Sequence, residues 1–203
     1  MKEEYQKIVT NRYSCRDFIN EKISKEDLEY ILEAGRISPS SLGLEPWKFV
    51  VVQKEEKKQE ISKIAYNQPH VANNGALIIL LVRLDFAEYF EPKLRARNMP
   101  QEEIEKRLNT YKPFLENMNE TQKYAYAKEQ THLALMNLAN AASALGLGSC
   151  IIGGFDNAKL DGYLKLDTKK YKSSVMLALG KKKSEEIPPK LRFSFDEVVE
   201  FLE

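Results

Sequence analysis

Four short apolar runs rich in β-branched residues, Trp47 to Val52, Leu77 to Val82, Ser149 to Ile152 and Ser174 to Leu179, constrain this chain more than any other feature. Runs of that length without polar alternation suit strands buried on both faces, which need helices on either side of their sheet. Helical patterns do separate them. Lys2 to Val9 and Ser24 to Ile37 read as helices; Ser24 with Asp27 resembles a capping box, and Leu28, Ile31, Leu32 and Ile37 fall on one stripe. Gln130 to Leu145 is apolar or small nearly all round, as expected of a helix covered on most sides, and in a chain of this size such a helix often packs on a partner subunit. Residues 85–128 are charged, helix-prone and interrupted by Pro92, Pro100 and Pro113, which reads as a helical excursion off the sheet and the segment best suited to be a mobile lid. Ile187-Pro188-Pro189 leads into an extended Leu191 to Phe195 and a short helix from Asp196, a tail that need not stay on its own subunit.

At 203 residues the chain can bury a core on both faces of a sheet, so one domain over 1–203 is expected. Its 31 basic and 30 acidic residues nearly cancel, so no overall field draws it to nucleic acid or anionic lipid, and an anion site has to be local. Ala76 to Val82 is too short to span a bilayer, and Leu133 to Ile152 is interrupted by Asn137, Asn140, Ser143 and glycines. The charged, periodic start lacks the pattern of a secretory signal. Cys15 and Cys150 are too few for a disulfide framework; both are expected reduced, in a cytoplasm.

Four segments carry residues suited to chemistry. In Arg12-Tyr13-Ser14-Cys15-Arg16 an extended backbone puts Arg12, Ser14 and Arg16 on one face, two guanidinium forks and a hydroxyl for one anion; a solvated basic turn fits the same spacing. Lys190-Leu191-Arg192 repeats the i, i+2 basic pair after two prolines, and two such pairs could close on one phosphate or form separate basic rims. Ser38-Pro39-Ser40-Ser41-Leu42-Gly43-Leu44-Glu45-Pro46-Trp47 can bring hydroxyls and amides against a polar ligand rim, or simply join a helix to a strand. In Gly146-Leu147-Gly148-Ser149-Cys150-Ile151-Ile152-Gly153-Gly154-Phe155 the paired glycines let main-chain N–H groups approach a flat ring, or make a tight turn before Asp156 as an N-cap. Cys150 lies inside an apolar strand where its thiolate is disfavoured, so it is not assigned as a nucleophile with His132 or His70.

These segments, in this order and together with Asn67-Gln68-Pro69, resemble the FMN-dependent NAD(P)H nitroreductase family over nearly the whole chain. The resemblance implies an α+β fold: a three-layer α/β/α nitroreductase-like arrangement with a mainly antiparallel central sheet, in a homodimer with a domain-swapped tail and FMN at the interface. It implies that Arg12, Tyr13, Ser14 and Arg16 hold the FMN phosphate region with Lys190 and Arg192. Pro39, Ser40, Ser41 and Gly43 would reach the flavin from the other subunit. Asn67 would bond the pyrimidine edge and ribityl region, Gln130 would lie near the ribityl chain, and Ile152, Gly153 and Gly154 would bring a main-chain N–H to flavin N5.

The implied activity is oxidation of NADH or NADPH by tightly bound FMN and reduction of nitroaromatics or quinones in ping-pong order. The flavin carries the chemistry, so no side chain is assigned as acid or nucleophile and no metal is implied. An ene or quinone reductase without nitro preference, or a flavin- or nucleotide-binding dimer without turnover, would use the same residues. His70 stands where many relatives keep a lysine and is a candidate for a cation or donor near N1, or a surface loop histidine. Gly43, Glu45 and Gly153 also depart from better-known relatives. Tyr111, Phe114 and Tyr124 are the aromatic candidates for the substrate side.

Overall fold

The computed structural model describes residues 1–202. Along the chain run α1 (Lys2–Asn11), α2 (Lys25–Arg36), β1 (Trp47–Val52), α3 (Glu55–Ile64), α4 (Pro69–Ala72), β2 (Ala76–Arg83) and α5 (Phe86–Arg95). There follow α6 (Gln101–Glu116), α7 (Glu120–Ala144), β3 (Gly148–Ile152), α8 (Asn157–Tyr163), β4 (Tyr171–Gly180) and α9 (Phe195–Val198). The strands form one sheet of order β1-β2-β4-β3, and all three pairings are antiparallel.

The apolar run of β2 explains the layering. Its side chains alternate, so Leu77, Ile79 and Leu81 meet Ile61 of α3, Val71 of α4 and Leu160 of α8, while Ala76, Ile78 and Leu80 meet Ile31 of α2 and Leu135 and Leu138 of α7. All three elements of an α/β/α stack follow from that alternation. The expectation of strands buried on both faces holds for β2 and most of β4, but β1 is an edge strand and only half-buried.

Ser24 accepts a hydrogen bond from the Asp27 backbone N–H at 3.0 Å and so caps α2, as its spacing suggests. Helix α7 begins ten residues before the expected start because Asn119 and Gln122 form a reciprocal capping box inside the charged segment. Against α7 lies Gly35 of α2: a Cβ there would stand 2.6 Å from Leu138, so the two helices approach as only glycine permits. The excursion packs through its own apolar cluster, in which Phe86, Phe90 and Leu94 of α5 and Ile104, Leu108 and Leu115 of α6 enclose Leu44 and Val82.

Residues 12–18 run extended along the sheet margin. Ser14 bridges Ser149 in parallel, Phe18 bridges Lys182, and Cys15 donates its N–H to the Ser149 carbonyl at 3.0 Å. Cys15 and Phe18 point into the core. Among the described residues no helix is long and apolar enough to cross a membrane.

Candidate active site

With Cys15 turned inward, period-two alternation leaves Ser14 and Arg16 exposed and Arg12 half-buried on the other side of the strand. The carboxyl-terminal segment comes to this strand from the far end of the chain: Lys190 Nζ donates to the Val9 carbonyl at 2.8 Å, beside the end of α1. Partial burial, then the charges of Arg12 and Arg192, push the Lys190 pKa below its ordinary value. Among the described residues none of Arg12, Arg16, Lys190 and Arg192 is paired with a carboxylate, and Arg192 donates only to the carbonyl of Leu191. The Ser149 hydroxyl is buried without a hydrogen-bond partner and lines a cavity of about 50 Å³ with Arg12 and Tyr13. Like charges gathered without a carboxylate partner leave the positive charge of this cluster to be offset by solvent or by an anion.

Beside it stands the loop between α3 and α4. Tyr66 and Asn67 both have left-handed backbones, φ +57° and +58°. Asparagine tolerates that region; tyrosine there costs about 1–2 kcal/mol. The loop is held by Asn67 N–H to the Ser62 carbonyl at 2.8 Å and by the Ser62 hydroxyl to the Gln68 carbonyl at 3.0 Å. Asn67 itself is exposed.

His70 is buried in α4, which removes the surface-loop reading. Burial first, and Arg16 second, lower its pKa, so near neutral pH it is an uncharged hydrogen-bonding group rather than a cation. Burial raises the Cys150 thiol, with Arg16 and Arg12 opposing, and this agrees with leaving it out of the chemistry.

At the end of β3, Ile152 is buried while Gly153 and Gly154 are exposed. Neither glycine has a positive φ, and a Cβ on Gly153 would meet nothing within 4 Å. The turn therefore does not demand glycine for its own sake, and the bare backbone faces open space.

The serine loop forms a second group. Ser41 donates its backbone N–H to the side-chain oxygen of buried Gln130 at 2.9 Å, and its hydroxyl accepts from Tyr126 at 2.6 Å. Ser40 spends its hydroxyl on the Glu45 N–H at 2.9 Å, and Pro39 is exposed. Gly43 lies at φ +63°, between Leu42 at +56° and Glu45 at +51° two residues on. Helix α5 and the residues after it clasp this strained loop: Arg97 donates to the Leu42 carbonyl at 2.8 Å and Lys93 pairs with Glu45 at 3.0 Å.

The three aromatic candidates separate. Phe114 packs edge-on against Tyr126, ring centres 6.0 Å apart, and so joins the serine loop. Tyr124 turns inward and donates to the Ser173 carbonyl at 3.2 Å, in a cavity with Asn157 and Asp161. Tyr111 stands over the α6 surface with Glu103, Lys106, Arg107 and Thr110. Gln130 thus belongs with the serine loop, and among the described residues no hydrogen bond or ion pair joins that group to the basic cluster. Gln68 and Ser149 lie within recognisable motifs, yet no spacing marks them out: Gln68 reaches the Gly154 carbonyl far along the chain, and the unpartnered state of the Ser149 hydroxyl exists only in the fold.

The model of the Nitroreductase family matches residues 9–181. The chain belongs to the nitroreductase family. It is 34% identical over 205 residues, 94% of each chain, to a Staphylococcus haemolyticus protein provisionally named an NAD(P)H nitroreductase. A provisionally named nitroreductase of Exiguobacterium sibiricum, solved in complex with FMN, superposes with a TM-score of 0.87 at 25% identity, over 98% of this chain and 97% of that one. CLA-ER, an enone reductase of gut-bacterial fatty acid saturation, superposes with a TM-score of 0.85 at 25% identity, over 98% of each. The α/β/α stack around an antiparallel sheet is therefore the nitroreductase fold, and its margins carry the two residue groups described above.

Proposed function

We propose that residues 1–203 form one flavin-binding unit of a dimeric FMN-dependent NAD(P)H oxidoreductase that acts in the cytoplasm. The observation that carries this reading is the meeting of Arg12 with Lys190 and Arg192, cations from opposite ends of the chain without a carboxylate partner. Their charge and donors suit a phosphate monoester, and the unpartnered Ser149 hydroxyl, which lines one small cavity with Arg12, supports a group to be bound there. Bound FMN supplies the hydride chemistry, taking reducing equivalents from NADH or NADPH and passing them in ping-pong order to a nitroaromatic or quinone.

The chain's own residues bind, orient and shield. Arg12, Ser14, Arg16, Lys190 and Arg192 hold the phosphate, with Tyr13 packed behind them. Asn67 addresses the pyrimidine edge and ribityl region, and neutral His70 offers one hydrogen bond nearby. The open backbone at Ile152, Gly153 and Gly154 lets a main-chain N–H reach the ring. Pro39, Ser40, Ser41, Gly43 and Gln130 of the partner subunit complete the site, and Phe114 of that subunit covers the substrate side. The 25% identity to an enone reductase over 98% of each chain supports a second reading within the class, reduction of an activated alkene.

The test is direct. Purified protein should be yellow and bleach anaerobically with NADH or NADPH, and a panel of nitro, quinone and enone acceptors should restore the colour at rates that rank them. Lys190→Ala with Arg192→Ala should weaken FMN binding roughly a hundredfold, since charge-assisted bonds to phosphate are among the strongest available, while circular dichroism stays unchanged. Colourless protein that takes up no FMN would end this reading.

A further inference from the structure

Gln68 ties the Asn67 loop to the glycine turn, two segments far apart in sequence. Its carboxamide nitrogen donates one hydrogen to the Ala65 carbonyl at 2.9 Å and the other to the Gly154 carbonyl at 2.7 Å. Both donors of the amide are thus spent, and the orientation is set by chemistry: turning the amide over would place its oxygen against two carbonyl oxygens. The bond to Ala65 closes the turn that contains the left-handed Tyr66 and Asn67. The bond to Gly154 is the one side-chain hydrogen bond among the described residues that reaches either glycine. A Cβ on Gly154 would lie 3.6 Å from the same nitrogen, and the only other hydrogen bond nearby between the two segments is from the Asp156 N–H to the Ile64 carbonyl at 3.2 Å, among the described residues.

We infer that Gln68 is a positioning residue that sets the distance and angle between the Asn67 loop and the Gly153–Gly154 backbone, and through them the electronic balance of the bound flavin. This rests on the FMN reading above. Buried Phe155 and the Asp156 N–H anchor the far side of the turn, so at the glycines themselves Gln68 is the one side-chain tether, and its loss would let the N–H groups of Gly153 and Gly154 shift. Oxidised flavin N5 accepts a hydrogen bond, whereas reduced N5 carries a hydrogen. Misaligning a donor there therefore weakens the oxidised complex more than the reduced one.

The experiment compares the purified holoprotein with Gln68→Leu and Gln68→Glu. The readouts are FMN affinity, the reduction potential of the bound flavin against a reference dye, and thermal unfolding with and without FMN. In Gln68→Leu the bound flavin should favour its reduced form about tenfold more than in the parent, a rise of about 30 mV for a two-electron couple. In Gln68→Glu the same shift, measured against the parent at each pH, should be present at about pH 8. It should shrink toward about pH 5 as the introduced carboxyl takes up a proton and regains one donor. A residue that only stabilises the loop would lower the unfolding temperature of apo and holo protein alike and leave the potential in place. A parent that binds FMN, with both variants inside threefold of its redox preference, overturns the role of Gln68. A parent that binds no FMN overturns the underlying reading instead.

Discussion

His70 shows how burial decides a residue's chemistry where residue type does not. In sequence it stands in a lysine's place and invites assignment as a cation, but the fold encloses it in α4 with Arg16 nearby, and both effects lower its pKa. The sign of the consequence follows. Between the lowered folded value and the unfolded value of about 6.5 the unfolded chain holds the extra proton, so the contribution is complete above that pH and is lost as pH falls through the folded value. His70→Asn should therefore lose less stability than the parent between about pH 7.5 and 5, measured on apo protein by urea denaturation. Parallel profiles for the two proteins would show that the imidazole is not held neutral. An uncharged imidazole still donates one hydrogen bond, so His70→Leu, which removes the donor without changing the charge, separates a donor near the flavin from a cation. On the donor reading His70→Leu should weaken FMN binding at pH 7.5 and His70→Asn, whose carboxamide can still donate, should weaken it less.

At the scale of elements the serine loop depends on the excursion that clasps it. Gly43 has two reasons to be glycine: φ of +63°, and a Cβ position 2.2 Å from the Arg97 guanidinium. Gly43→Ala should cost about 2 kcal/mol, part of it backbone strain and part the displaced bond from Arg97 to Leu42. In an Arg97→Ala background only the strain remains, so the cost should fall to about 1 kcal/mol; equal costs in both backgrounds would mean that the clasp contributes nothing. That dependence lay outside what the sequence could reveal, since Arg97 sits 54 positions after Gly43 in a segment that reads only as charged and helix-prone. Local signals were legible where one periodicity dominated. The β2 run, the Ser24 cap of α2 and the Asp156 cap of α8 all lie where their spacing puts them. The start of α7 was not, because its capping box is embedded in polar residues, and neither was the half-exposed state of β1, which depends on its place at the sheet edge. The i, i+2 spacing of the basic pairs left a solvated rim open as well as a shared anion, and the approach of Lys190 to Arg12 needed the fold, just as the separation of Phe114 from Tyr124 and Tyr111 needed the packing around Tyr126.

Taken whole, the molecule leaves apolar side chains exposed on α7 and along the tail. Helix α7 leaves Leu133 and Met136 exposed at 48% and 40%, one turn apart on the same face. Beyond Lys190 the tail exposes Leu191, Phe193, Phe195 and Phe201, and β1 offers an unpaired sheet edge. Scattered apolar side chains on a surface need no explanation, but a helical stripe, an aromatic-rich tail and a free strand edge on one chain suit the second copy that the proposed reading requires. On the proposed reading the serine loop with Gln130 and the basic cluster are each half of a site, and among the described residues no hydrogen bond or ion pair joins them within one chain. Assembly and flavin retention should then be one event. Leu133→Asp places a charge where α7 would be buried against its partner and should weaken subunit association at least tenfold. Light scattering should report monomer at micromolar concentration, with FMN released in proportion to the dissociated fraction. A monomeric variant that kept its flavin at parental affinity would show that one chain suffices for the site. It would also leave the exposed stripe and tail to be explained by some other partner.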